Sequence, residues 1–268
     1  HIAPAAAPIA PATPAWIQKS NENAQVLLQV MARFAPEQAG FLGVTGMDEE
    51  VMDLGPQVLE RSRKAVDQAV AQLEQQLASE NDPAVRQDLE IMIGASKDNI
   101  RGQELSQKYD LPYFNMSESV FQGIRALLDD QVPVERRQAA LVRLRKYAGL
   151  EKGSTPVTQL AQDRTREQLA ANLRGPFKDE VERNLENSAR YVDGIGKLFA
   201  KYQIAGYEKP YAALKQQLAS YDDFVKQELL PRARTDFRQP PELYAFALEQ
   251  VGVDMPVGEL QSRAKVAF

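Results

Sequence analysis

Apolar positions recur at three- and four-residue steps along almost the whole chain, and the residues between the runs are those that start and stop helices. Ser20 or Asn21 stands as a cap before Val26, Leu27, Val30, Met31 and Phe34, and Pro36 closes that run. A loop carrying Gly40, Gly43 and Gly46 follows. Pro56 then opens a long run with Val58, Leu59, Ser62, Val66, Ala69, Val70, Leu73 and Leu77 on one side. Asp82-Pro83 starts another, with Val85, Leu89, Met92, Ile93 and Ile100 on its buried side. The short link between these two predicts an antiparallel hairpin.

The same grammar continues. Ser117 heads SESVFQGIRALLDDQ, Pro133 heads VERRQAALVRLRKYAG with Gly149 as its stop, and Thr155-Pro156 heads VTQLAQDRTREQLAANL. Two further long helices are predicted in GPFKDEVERNLENSARYVDGIGKLFAKYQ, loosened where Gly194 and Gly196 sit two apart, and in PYAALKQQLASYDDFVKQELL. The last run, from Pro256, sets Val257, Leu260, Ala264 and Ala267 or Phe268 on one face, and no stop signal closes it. No stretch sustains the alternation of a strand. The reading is all-α: an irregular array of about eight to ten helices built from antiparallel helix hairpins, without a fixed-period repeat.

Composition narrows the chemistry more than the fold. The opening HIAPAAAPIAPATPA favours extended polyproline conformation and cannot build a core, so residues 1–17 read as a leader or linker and 18–268 as the helical domain. Hydrophobic residues make up 44% and charged ones 26%, and no run approaches the about 18 apolar residues of a membrane span. Net charge is −5 with both signs interspersed, which gives no basic face for nucleic acid. There is no cysteine and one histidine, His1, so zinc sites built on imidazole or thiolate and His-dependent nucleophiles lose their usual parts.

Several polar groupings are candidate sites. The acidic pairs Glu49-Glu50, Asp129-Asp130 and Asp222-Asp223 read as solvated helix faces, since adjacent residues point to different sides of a helix. Arg136, Arg137, Arg143, Arg145 and Lys146 read as another solvated face, whose late cations suit the negative end of the helix dipole. Tyr191, Phe199, Tyr202, Tyr207, Tyr211 and Tyr221 read as core and loop-locking rings. In RARTDFRQPPELYAF, Arg232, Arg234 and Arg238 surround Asp236 ahead of a Pro-Pro corner. That grouping is either a charge-assisted lock or, through Arg238 and Tyr244, a cleft rim that meets substrate.

Two segments, PEQAGFLGVTGMDEEVMDLGP (36–56) and RTDFRQPPELYAFALEQVGVDMPVGELQSRA (234–264), resemble the bacterial family known as domain of unknown function 885. The resemblance implies a helical, zinc-metallopeptidase-like protein, often exported or lipid-anchored, hence a periplasmic or otherwise exported location. It also implies a His-Glu-x-x-Pro-Gly-His-His type motif in a C-terminal half, in which imidazoles hold zinc and the Glu activates water. No such motif occurs here, so no zinc ligand or catalytic Glu is carried onto this chain. The expectation is therefore a non-catalytic N-terminal helical half of a longer hydrolase-like protein, ending in mid-helix. It forms a cleft wall or lid, its partners being a C-terminal catalytic half and a peptide substrate, with zinc belonging to the parent. The alternative is a free-standing helical protein-interaction module; an enzyme working by carboxylates alone is the third reading.

Overall fold

The computed structural model describes residues 14–267, so His1, residues 1–13 of the leader and Phe268 lie outside the described residues. Those described form helices and connecting loops, with isolated bridges at Asp110–Arg174 and Phe177–Arg234 in place of a sheet. The all-α reading holds.

The first packing unit is a bundle of α1 (Ala15–Phe34), α3 (Val58–Ser79) and α4 (Pro83–Tyr109), with the short α2 (Pro36–Phe41) at the foot of α1. α3 and α4 form the expected hairpin around Val70, Leu73, Val85, Leu89 and Ile93, with Val26 and Leu27 of α1 packed on them. Burying each such side chain contributes about 1.5–3 kcal/mol. Asp82 caps α4 as its sequence indicates, accepting from the amides of Ala84 at 2.9 Å and Val85 at 3.4 Å. The start of α1 differs from expectation: the helix begins at Ala15, and Ser20 is buried inside it. Pro36 likewise opens α2 where a stop and loop were expected, because a proline at the first helical position loses no intrahelical bond.

Glu80 joins the hairpin turn to α1. Its carboxylate meets Lys19 Nζ at 2.6 Å and accepts from the amides of Asn81 and Asp82 at 2.8 and 2.9 Å. The Lys19 contact first, then these amides, hold its pKa at about 2. A depressed carboxylate contributes stability above its unfolded pKa and loses it as pH falls through the folded one. Glu80→Gln is therefore expected to lower the thermal midpoint at pH 7, and the gap to wild type to close between about pH 4.5 and pH 2. A gap that persists below pH 2 would assign the effect to packing.

The second unit holds α5 (Met116–Arg125), α6 (Val134–Arg137), α7 (Ala139–Tyr147), α8 (Val157–Arg166), α9 (Lys178–Lys201) and α10 (Glu208–Phe224), the last running on as a π turn at Val225–Leu229. Its core gathers Val120, Ile124, Leu144, Ile195, Phe199 and Leu218, all fully buried. The expected helix 133–149 is split at Gln138, and the helix from Thr155-Pro156 ends at Arg166. α9 is not loosened at its glycines; the ring of Phe121 presses on Gly194 and that of Tyr211 on Gly196, so the missing side chains admit rings. The tyrosines act as core and locks, with Phe199 and Tyr207 stacked at 5.1 Å and Tyr221 donating to the Phe114 carbonyl at 2.9 Å. Beyond the second unit, α11 (Pro241–Gln250) returns to α4, and α12 (Val257–Ala267) has no buried residue.

In the cationic run of α6 and α7 the solvated-face reading holds for Arg136 and Arg145, which are exposed, and fails for Arg143. Arg143 is 1% exposed and donates to the carbonyls of Gly123 at 2.7 Å and Met47 at 2.8 Å. Arg136 pairs with Asp48 and Lys146 with Glu50, so the run grips the 42–57 loop. Glu37 holds the same loop from the other side, accepting from the Met52 amide at 2.9 Å and the Tyr147 hydroxyl at 2.7 Å.

Candidate functional site

The two units meet along a cleft of about 1710 Å3. One wall is the first unit: Phe34 at the end of α1, Val58 and Leu59 at the start of α3, and Asn99, Gln103 and Gln107 along α4. The other wall is irregular chain, comprising the strap Asp110–Phe114, the end of α8 with Arg164 and, just beyond it, Gln168, and Arg174–Phe177 leading into α9. Non-helical backbone survives here because the passes bond each other. The Leu111 amide donates to the Arg174 carbonyl at 2.8 Å, and the Arg234 amide to the Pro176 carbonyl at 2.9 Å.

α11 closes one side with Leu243, Phe246, Ala247 and Gln250. Phe246 seats on Gly102, where a Cβ would stand 3.0 Å from the ring. Glu249 pairs with Arg101 at 2.5 Å, and Glu242 takes Lys108 at 2.6 Å and the Tyr109 hydroxyl at 2.5 Å. These contacts to Lys108 and Tyr109 hold the Glu242 carboxyl below its ordinary range. α11 has no buried residue of its own, so it rests on the cleft through one ring and solvent-exposed pairs, which individually contribute little.

Three arginines and six carboxylates line the cleft, and much of this charge is internally matched. Asp53 takes both Arg61 terminal nitrogens at 2.6 and 2.8 Å, and that contact leads in holding its carboxyl below the usual range. Asp110 takes Arg174, and Glu167 takes Arg164 at 2.8 Å. Glu60, Asp98 and Glu180 face the groove as exposed carboxylates. Burial pushes the Tyr113 phenol up, although its oxygen accepts from Asn184 at 3.2 Å. Behind this wall, Ser117 and Ser188 hydroxyls meet at 2.7 Å, and Ser188 donates to Asp222, whose carboxyl burial raises.

The other acidic pairs are spread over surface contacts. Asp130 meets Lys201, Asp129 accepts from the Gln131 amide and Asp223 meets Lys226. Among the described residues, no three His, Cys, Asp or Glu side chains come together as a metal cage. No described helix is long and apolar enough to cross a membrane.

Arg238 and Tyr244 stand beside the cleft, where the lining residues of this segment are Gln239, Leu243, Phe246, Ala247 and Gln250. The Arg238 side chain is 83% exposed and 3.8 Å from Asp236, while Tyr244 is 41% exposed. The corner is held mainly through backbone: the Arg238 amide donates to Asp236, and Arg174 donates to the Arg238 carbonyl. Sequence reasoning missed the cleft's own residues. Their signal is a Pro next to aromatics at two breaks in helical periodicity, Pro112-Tyr113-Phe114 and Pro176-Phe177.

Comparison with known proteins adds one assignment. No curated protein and no solved structure matches the chain. The family model described as "Bacterial protein of unknown function (DUF885)" matches residues 36–267, which span the cleft and all its walls but the end of α1, and the chain belongs to that family.

Proposed function

We propose that this chain is the substrate-holding helical half of a hydrolase-like protein, and that an extended peptide lies in the cleft between its two units. The observation that carries the reading is the cleft's size and lining. Sites for drug-sized ligands occupy about 300–1,000 Å3, and this one is larger and elongated along α4. Rings and aliphatic side chains alternate in it with Asn99, Gln103, Gln107 and Gln168, whose amides can both donate to and accept from a peptide backbone.

In this reading the bond-breaking groups, a zinc ion and an exported location belong to the parent protein that the family resemblance implies. Zinc does not fit the residues of this chain. There is no cysteine, the one histidine lies outside the described residues, Asp53, Asp110 and Glu167 of the cleft are each engaged by an arginine, and Glu60, Asp98 and Glu180 do not come together as a cage. Arg238 and Tyr244, beside the groove, are the residues proposed to meet substrate entering over α11.

The alternative, a free-standing interaction module, draws on α12, which has no buried residue, and on the exposed Phe237, Val251 and Val266. One experiment separates the two: anisotropy titration of a labelled pool of unstructured decapeptides. Saturable binding is expected, weakened roughly tenfold or more by Leu243→Arg and unchanged by Val266→Arg. Absence of saturable binding would overturn the peptide-cleft reading. Loss through Val266→Arg alone would transfer the function to α12.

A further inference from the structure

We propose that Arg164 is a carboxylate-binding residue in the wall of the cleft. Its place follows from the α8 stripe, since Val157, Ala161 and Arg164 recur at four- and three-residue steps and all three are buried. Arg164 is 9% exposed, and Thr165 beside it donates to the Pro112 carbonyl at 3.0 Å, pinning this turn against the Asp110–Phe114 strap.

What sets Arg164 apart is its unfinished bonding. Nη2 meets Glu167, while Nε and Nη1 are buried with no acceptor among the described residues. Arg137, Arg143 and Arg234 each leave only Nε in that state. A guanidinium carries five N–H donors and stays charged, so burying it without partners is costly unless something completes it. A buried donor of this kind calls for an acceptor, be it an ordered water, an ion or a ligand.

The missing partner is anionic, because a charged acceptor both satisfies the donors and neutralises the buried cation. It is a carboxylate and not a phosphate, since the exposed Glu60, Asp98 and Glu180 face the same cleft and would repel a second full negative charge. Access runs through Glu167. Its side chain is 50% exposed and three residues further along the chain, so it can swing into solvent, and the incoming carboxylate then takes Nη2 with one oxygen and the unpartnered Nη1 with the other. The i,i+3 pair given up in the exchange is weak, because its carboxylate partner is half exposed. On the peptide-cleft reading, on which the identity of the ligand rests, the carboxylate is a peptide's C-terminal group or an acidic side chain.

The test reads Arg164 directly on the full chain, through its Nε–H resonance assigned with Arg164→Met. N-acetyl-leucine is expected to shift that resonance saturably and N-acetyl-leucinamide to leave it in place. A shift by the α-amide of N-acetyl-glutamate, without one by N-acetyl-leucine, would make the side-chain carboxylate the source. Arg164→Met is expected to keep or raise the thermal midpoint and to abolish a preference of about tenfold or more for free-acid over amidated peptides. Arg164→Lys, which keeps the charge, serves if the Met variant fails to fold, and is expected to weaken the preference. Glu167→Gln is expected to tighten free-acid binding. If acid and amide act alike, or if neither acid moves the resonance, the carboxylate site is overturned while peptide binding stands or falls separately. If N-acetyl-leucine moves it and no peptide binds, the site stands and the peptide reading falls.

Discussion

Gly175→Ala is expected to lower the thermal midpoint by roughly 5–10 °C and to weaken peptide binding in the cleft with it. A Cβ at this position would land on the carbonyl oxygen of Arg232, 2.7 Å from its carbonyl carbon and 3.3 Å from the Ala233 Cα. The obstacle is backbone, so no rotamer change relieves it. Nor is that backbone free to move: Arg234 donates to the Pro176 carbonyl at 2.9 Å, and Lys178 donates back to Arg234 at 2.8 Å. On the other side Arg174 donates to the Tyr109 carbonyl at 2.7 Å. Overpacking of this kind costs about 1–3 kcal/mol, and the upper end applies where a laced backbone must shift. Calorimetry of the variant beside Gly153→Ala, a glycine with nothing near its missing Cβ but with φ of +81°, separates collision from conformational strain. A midpoint for Gly175→Ala no lower than that of Gly153→Ala would show that the passes of the cleft wall slide apart easily.

Much of the helical array can be read from periodicity alone. Val70, Leu73, Val85 and Leu89 occupy the buried faces that their spacing assigns, and Asp82 caps the helix that it heads in the sequence. Boundaries were less legible, because proline marks a helix start as readily as a stop, and only packing decides which of the two Pro36 does. The cleft itself was not legible. Its irregular wall is made of chain that leaves helical periodicity, and its register is set by amide bonds between segments far apart in the sequence, as between Leu111 and Arg174 or Pro176 and Arg234. Arg238 and Tyr244 are the conspicuous residues of their segment in sequence, but the fold points Leu243 and Phe246 of the same helix into the groove. Two buried arginines are legible in the helical spacing itself. Arg143 falls on the stripe of Ala140, Leu144 and Tyr147, and Arg164 on that of Val157 and Ala161. A cation on an otherwise apolar stripe is either an error of period or a buried charge with a task. The run of cations around Arg143 made the solvated face look sufficient, and the neighbouring Arg136 and Arg145 are indeed exposed.

The task of Arg143 gives the largest expected effect. Its guanidinium is the link between α5, through the Gly123 carbonyl, and the 42–57 loop, through the Met47 carbonyl. Arg143→Ala removes both charge-assisted bonds and opens a cavity, an expected loss of about 3–5 kcal/mol. Arg143→Met keeps most of the volume and so isolates the polar part, about 2–4 kcal/mol, while Arg143→Lys can serve one carbonyl in place of two and loses least. The pairs Arg136–Asp48 and Lys146–Glu50 cannot make up the difference. Their members are partly solvent-exposed, and such pairs contribute only about 0–1 kcal/mol each. The consequence reaches the cleft because the far end of the same loop supplies Asp53, Leu54 and Gln57 to its lining. With Met47 released, the loop is expected to become the first site of limited proteolysis, and peptide affinity to fall in the order Lys, Met, Ala. Loss of stability in Arg143→Met with no change in cleavage between 42 and 57 would place the role of Arg143 inside the α5–α7 core and detach it from the cleft wall.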